Sequence, residues 1–411
     1  MSGYLPKNRI NVSLGLVLAA TMGLGAFSLI GVAVVANDLT KDLGLSVTFF
    51  GAAVSVNTIV GAVFAPLGGR ISDKIGGKKT CVFVLFLSAF GLGVLAIANN
   101  KWALIGGLII AGFPQGWCNP ATNKLIAERV PAGSRGLMTG IKQSGVQLSV
   151  MAAGLTVPTI AYFVSWRGAF GFYGFLSLVV GVIVITALGD GNEETISPAV
   201  KKDVNTKKSP LGKSVWLLAF YALFMGIAVG GAGRYLPLFG ETQLGMSNFE
   251  AGLLSALPGG LAIFFRIWWA RLAEERIAPS NALAIQALTS VLVMAMLLAA
   301  VPLGGWIMWP MTFVAASGLY AWNAVAMLSV IIGVPTKDSG RASGVVVMGF
   351  MAGLSIGGFF VGWIADVTGS FDAAWTVLLL LSFVSIGIAL SLSLIHISEP
   401  TRPERSGGGR E

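Results

Sequence analysis

Charge is what this 411-residue sequence has least of. Asp, Glu, Lys and Arg make up 11% of it, against 55% hydrophobic residues, and the mean hydropathy is +0.81. Soluble domains carry about 25% charged residues. A chain this apolar cannot cover its own core with polar surface, so a soluble globular fold is excluded and a multi-span membrane protein is expected. Histidine is scarcer still. The single one, His396, lies near the C-terminus, which removes histidine-based catalysis from the body of the chain. The two cysteines, Cys81 and Cys118, fall on different apolar runs without metal-ligand spacing, so neither a disulfide nor a metal site is expected. No Gly-Lys-Ser/Thr phosphate loop occurs, which speaks against an ATP-driven pump, and no cofactor is expected. The net charge of +9 is spread over connecting segments rather than clustered, so it is no nucleic-acid footprint. No cleavable signal peptide is read: Lys7 and Arg9 precede an apolar run long enough to span.

What is abundant is long apolar runs and glycine. The 55 glycines exceed the usual share of about 7% and allow membrane helices to approach closely. Runs of about 20 apolar residues predict membrane helices near 11–36, 46–68, 80–98, 102–124, 137–163 and 168–188. Six more are predicted near 214–238, 247–267, 280–300, 305–333, 342–364 and 373–392. The polar stretch 190–213 between the sets reads as a flexible cytoplasmic linker, giving two six-helix bundles over 1–189 and 214–393. With the N-terminus inside, seventeen lysines and arginines fall on inside segments and three, Lys41, Lys101 and Arg167, on outside loops. This asymmetry predicts a multi-pass inner-membrane protein with both termini cytoplasmic. The run from Leu394 to Pro403, followed by Gly407-Gly408-Gly409, resembles translated adapter read-through, so 394–411 is read as a non-native tail and set aside.

One charged stretch organises the rest: Gly69-Arg70-Ile71-Ser72-Asp73-Lys74-Ile75-Gly76-Gly77-Lys78-Lys79. It reads as a short turn between antiparallel neighbouring helices, its glycines permitting the tight bend and its basic residues surrounding Asp73. A weaker copy follows at an offset of 201, where Ala270-Arg271-Leu272-Ala273-Glu274 aligns with Gly69–Asp73. The same offset aligns Leu43-Gly44-Leu45-Ser46 with Leu244-Gly245-Met246-Ser247 and Gly51 with Gly252. Two matches in one register argue for an internal duplication, a common plan in secondary transporters.

The Gly69–Lys79 stretch resembles the loop signature G-x-L-A-D-R-x-G-R-R of the major facilitator superfamily, departing at Gly77, where a basic residue is usual. The segments Pro131–Gly136 and Trp166–Phe170 resemble connecting segments of the same superfamily, so the resemblance covers about residues 10–392. It implies an all-α fold of twelve transmembrane helices in two pseudo-symmetric bundles. It also implies alternating access, with helices one, four, seven and ten lining the cavity. The stretch Thr139–Gln147 is loosely similar to organic-anion and cyanate-permease members. Two departures matter. The Arg-x-x-Gln-Gly of many proton-coupled members is here Gly112-Phe113-Pro114-Gln115-Gly116, without the arginine. The glycine motif of exporters is incomplete, with Pro158 one place early and Thr159-Ile160-Ala161 supplying no glycine.

Candidate residues follow. Gln115, Asn119 and Asn123, at steps of four, form a polar stripe on the fourth helix that must meet water, solute or another helix. Lys142, Gln143 and Gln147 repeat the theme on the fifth. Arg234 on the seventh, and Tyr320 with Asn323 on the tenth, complete the predicted substrate-binding set. Lys124 and Arg266 sit at predicted helix ends, and Lys142 about 8 Å from its own, where a long side chain snorkels to water. A cation in mid-membrane costs roughly 2.5–3.5 kcal/mol, and with no buried acid to pair with it an anionic solute is the natural complement. The gating set is Gly69, Arg70, Asp73, Lys74, Gly76, Arg135, Arg271 and Glu274, with Asp73 locking the cytoplasmic ends in one state and Glu274 as its weaker counterpart. The expectation is a monomeric, non-enzymatic secondary transporter of a small organic or inorganic anion, with a coupling proton or ion and the lipid bilayer as further partners. The alternatives are a drug or metabolite efflux antiporter of the same fold, and a non-transporting membrane sensor or enzyme.

Overall fold

A computed structural model of the chain describes residues 12–188 and 210–398. Every regular element among the described residues is a helix. The first span is broken. Helix α1 (Val12–Gly25) and helix α2 (Phe27–Val34) meet at 53°, and α3 (Ala36–Asp42) follows. Helices α4 (Val47–Ile75), α5 (Gly77–Ala96), α6 (Lys101–Arg129), α7 (Arg135–Phe163) and α8 (Trp166–Ala187) complete the first set. The second set begins with α9 (Lys213–Leu244), α10 (Asn248–Glu275) and α11 (Pro279–Leu303). Its fourth span is again broken. Helix α12 (Met308–Val314) runs into a π-helical turn over Ala315–Leu319, and α13 (Trp322–Gly333) follows. Helices α14 (Ser339–Thr368) and α15 (Asp372–Ser398) end the described chain.

Among the described residues ten helices are long and apolar enough to cross a membrane, and the bent α1–α2 pair makes an eleventh. The twelfth is α6. Its 29 residues exceed the ~20 needed to span, but its polar stripe lowers its hydropathy. Ends are set by local chemistry. Ser46 and Asn100 cap the N-termini of α4 and α6, and Ser247 with Glu250 forms a reciprocal capping box on α10.

The helices outrun the apolar runs. α4 continues through the charged stretch to Ile75, and the whole turn is the single residue Gly76 at φ +87°. Once past the hydrocarbon, polar side chains such as exposed Arg70 and Lys74 do not interrupt a helix, because water solvates them. α6 reaches Arg129, α9 Leu244 and α10 Glu275, each several residues beyond its predicted end. Of the predicted linker only Pro210–Lys213 lies among the described residues, and Lys213 already begins α9. Of the predicted tail, residues to Ser398 continue α15 and the rest lies outside the described residues.

Two hydrophobic cores result, one built from α1 to α8 and one from α9 to α15. They interlock: Ala62 and Ala65 of α4 belong to the second core, and Ile331 of α13 to the first. The two sets meet along two seams, α4 against α14 and α7 against α10. Both seams pack backbone on backbone. A Cβ at Gly69 would collide with Gly340, one at Gly344 with Ala65, one at Gly136 with Ala270, and one at Gly140 with Ile267.

Candidate substrate site and inter-half latch

At the Asp73 end the two halves are joined by two carboxylates, each seated on the N-terminus of a helix from the other half. Asp73 on α4 accepts from the backbone N–H groups of Gly340 (2.9 Å) and Arg341 (2.8 Å), which open α14. Glu274 on α10 accepts from Gly133 (2.9 Å), Arg135 (3.0 Å) and Gly136 (2.7 Å), which open α7. A helix N-terminus leaves its first amides unpaired and carries partial positive charge, so one carboxylate satisfies both needs. Asp73 therefore finds its partners on the opposite half rather than among the basic residues of its own stretch. The charged group beside it is Lys124 of α6, at 3.3 Å, whose Nζ also donates to the Thr336 carbonyl at 2.5 Å. Lys124 lies 3.9 Å from Glu128, which accepts from the Gly77 N–H at the start of α5.

The other predicted gating residues are placed as follows. Gly69 packs on Gly340, and Gly76 forms the turn. Arg135 gives its amide to Glu274, while its Nε donates to the Val130 carbonyl within its own half. Arg70 and Lys74 are exposed, and Arg271 pairs with Glu275 one turn along α10.

One layer deeper lies a polar cluster. Lys142 is fully buried on α7. Its ammonium donates to the Asn119 side-chain oxygen and to the Thr122 hydroxyl, each at 3.1 Å, and to the Asn123 side-chain oxygen. Gln143 donates to the same Asn119 oxygen at 2.9 Å. Asn123 in turn reaches the other half, donating to Ser343 Oγ on α14 (2.6 Å) and to Met327 Sδ on α13 (3.1 Å).

Arg266, 5% exposed on α10, approaches from the second half. It donates to the Gln143 carbonyl (2.7 Å) and to the Tyr320 carbonyl (3.0 Å). The Tyr320 carbonyl is available because the π-helical turn and the break after it disrupt the helical ladder there. The Ser317 carbonyl is taken up in the same way by the Trp269 indole at 2.5 Å. Three acceptor oxygens of the predicted set are buried without a partner among the described residues: Gln115 Oε1, Gln143 Oε1 and Asn323 Oδ1. Gln147 faces α10, its Oε1 3.6 Å from where a Cβ on Gly259 would sit. Arg234 stands apart from this cluster. It is exposed, ten residues before Leu244, with its guanidinium over Gly358 of α14. Tyr320 lies against Gly233, the residue before it.

Every hydrogen bond between the two halves among the described residues lies between this layer and the Asp73 end. Toward the other end, a Cβ at Gly51, Gly154 or Gly252 would meet open space. The hydrogen bonds between the halves thus gather toward one end. A recess of about 510 Å³ on α10, lined by Phe264, Trp268 and Arg271 among others, holds none of the predicted substrate-binding residues.

The profile of the Major Facilitator Superfamily matches residues 16–336, most of the chain. The chain belongs to the major facilitator superfamily. Among curated relatives, the hexuronate transporter of Bacillus subtilis (strain 168) is 27% identical over 266 residues, 61% of each chain. The multidrug resistance protein MdtG of Proteus mirabilis (strain HI4320) is 24% identical over 245 residues, 57% of this chain and 58% of that one. The matched region thus spans about three fifths of the length of these relatives. Among solved structures, a bacterial homologue of the iron transporter ferroportin in its outward-facing state superposes with a TM-score of 0.74. It is 13% identical, and the match covers 93% of this chain and 99% of that one. At that identity the likeness concerns the fold, which is the superfamily's twelve-helix, two-bundle membrane architecture.

Of the cluster residues, sequence reasoning placed Lys142, Gln143, Asn119 and Asn123 together but left Arg266 and Lys124 at helix ends. α10 continues nine residues past Arg266 and α6 five past Lys124, which takes both cations off the margin. The signal was the length of the polar helix extension, which hydropathy does not register.

Proposed function

We propose that this superfamily member is a secondary active transporter of a small organic anion, working by alternating access in the inner membrane as a monomer with both termini cytoplasmic. The observation that carries the reading is the pair of buried cations at the inter-half layer. Lys142 comes from one half and Arg266 from the other, and no described carboxylate lies within ion-pair reach of either. Burying a cation without a counter-charge is unfavourable, so the site is complete only when an anion supplies it. The three unpartnered acceptors Gln115, Gln143 and Asn323 add a requirement for donors on the solute. A hydroxylated carboxylate meets both demands, in keeping with the hexuronate transporter among the relatives.

By the excess of basic residues on its side, the Asp73 end faces the cytoplasm. The described arrangement then corresponds to the outward-facing state. Asp73 and Glu274 hold the inner ends shut, and a coupled ion or proton gradient drives the exchange between states. Ligand stabilisation of the purified protein across a panel of monocarboxylates, dicarboxylates and hexuronates tests the reading, followed by uptake of radiolabelled D-glucuronate into proteoliposomes. Saturable stabilisation by at least one hydroxylated anion, lost in Arg266→Ala, is the expected result. Stabilisation by lipophilic cations alone would instead favour drug efflux, the reading that the relative MdtG supports.

A further inference from the structure

We propose that Lys142 is the site at which a coupled proton travels with the anion. The inference rests on the transport reading above, but its test does not require the anion. The starting point is a gap in the inventory of acids. The described carboxylates lie at or near helix ends and connections: Asp73, Glu128, Glu274 and Glu275 at the latch end, and residues such as Glu241, Glu250, Asp366 and Asp372 toward the opposite one. None stands in the polar layer between the halves. The layer nonetheless contains one buried group able to exchange a proton beside the solute position, the Lys142 amine.

The cage around that amine suits both of its forms. An ammonium has three donors and no acceptor, and here it meets three oxygens, those of Asn119, Thr122 and Asn123. A neutral amine has two donors and one lone pair. The two amide oxygens still accept from it, and the third position is a hydroxyl. The Thr122 hydroxyl now donates to the Cys118 carbonyl at 2.6 Å. Turning that hydrogen toward Nζ gives the lone pair a donor. A carboxylate in place of any of these three groups would hold the lysine permanently protonated. The surroundings add no such charge. α5 and α6 bring the thiols of Cys81 and Cys118 within electrostatic reach. α7 brings neutral Gln143, α1 brings Met22 to the Thr122 hydroxyl, and α13 and α14 bring Met327 and Ser343 to the Asn123 amide nitrogen. α10 brings a second cation, Arg266, held at the Gln143 carbonyl. No described carboxylate therefore fixes this amine in its charged form.

The cycle closes in charge and atoms. On the open side the Nζ lone pair binds a proton from water as the anion enters beside Arg266. Ammonium and anion cross as opposite charges. On the far side the anion leaves, the N–H electron pair returns to nitrogen, and the proton passes to water. The empty carrier then returns with a neutral amine. One proton moves per anion.

Proton exchange after a pH jump, read with an indicator dye on the purified full-length protein in detergent, tests this. Wild type is compared with Lys142→Arg, which stays charged, and Lys142→Gln, which stays neutral. Both variants are expected to exchange one proton fewer per chain than wild type across the neutral range, while Cys81→Ala/Cys118→Ala keeps the wild-type count. Lys142→Arg keeps the positive charge on a long side chain, so a folding defect in Lys142→Gln does not decide the outcome. Equal counts in wild type and Lys142→Arg overturn the proposal, as does a loss that follows the cysteines. If D-glucuronate and the rest of the anion panel fail to stabilise the protein while the count still drops, the anion reading falls and the proton site stands.

Discussion

The α4–α14 seam and the α7–α10 seam are the same construction used twice. Gly69 against Gly340 in one corresponds to Ala270 against Gly136 in the other, and each seam ends in an acid capping the opposing helix. The correspondence extends along α7 and α14, where Gly136, Thr139, Gly140 and Gly145 match Gly340, Ser343, Gly344 and Gly349 at an offset of 204. The seams differ where a solute would sit. The repeat position of Arg266 is Ala65, and that of Lys142 is Val346. Joining the two halves needs only small residues and a carboxylate at a helix N-terminus, so both copies serve. A small solute has no two-fold axis, so on the proposed reading its charge is met by groups that the repeats do not share.

The largest effect expected from breaking this contrast is at Arg266. Arg266→Ala should weaken binding of D-glucuronate, or whichever anion the panel identifies, by about 100-fold, the scale for removing a buried charged partner. Isothermal titration of the purified variant checks it, and an unchanged affinity would show that the asymmetry of the seams is unrelated to the solute. Next are the seams themselves. Gly140→Val and Gly344→Val place side chains against Ile267 and Ala65, and overpacking of this kind costs roughly 1–3 kcal/mol. Both should shift the protein away from the state closed at the Asp73 end by similar amounts, measured as spin-label distances across each seam. A response confined to one variant would mean that the two seams do not share the load.

Smaller effects are expected at the caps. Asp73→Asn and Glu274→Gln each remove a charge from a helix N-terminus, an interaction worth about 0.3–1 kcal/mol when exposed and up to ~2 when partly buried. Each should slow turnover several-fold while leaving anion affinity within about twofold, corresponding to under 0.5 kcal/mol. Wild-type turnover in both variants would remove the latch from the mechanism. The smallest change is Ser144→Ala, which deletes one 3.2 Å bond to the Ile263 carbonyl across the second seam. It should alter transport by no more than about fivefold, since a neutral hydrogen bond contributes roughly 1 kcal/mol or less here. A larger loss would mark Ser144 as part of the site rather than of the seam.

Much of this was legible in the residues. The offset between Gly69–Asp73 and Ala270–Glu274 marked the repeat, and the structure sets both acids to the same task. The stripe Gln115, Asn119, Asn123 pointed inward because steps of four lie on one helix face, and Lys142 joined it from a neighbouring helix. Arg266 was misplaced for a physical reason. Hydropathy reports where a helix is apolar, whereas its length is set by caps and by water beyond the bilayer, so α10 ran on to Glu275. The partners of Asp73 were hidden for another reason. Backbone amides carry no sequence signal, and which helix N-terminus meets a given carboxylate depends on how the halves dock.

Composition alone committed the chain to the membrane and to helices, because apolar spans must close their hydrogen bonds within themselves. Periodicity and the repeat fixed which faces are polar and which segments are equivalent. Only the packing of one half on the other decided that Lys142 and Arg266 share a layer and that two acids become helix caps. Those pairings join positions more than a hundred residues apart, and local sequence has no term for them.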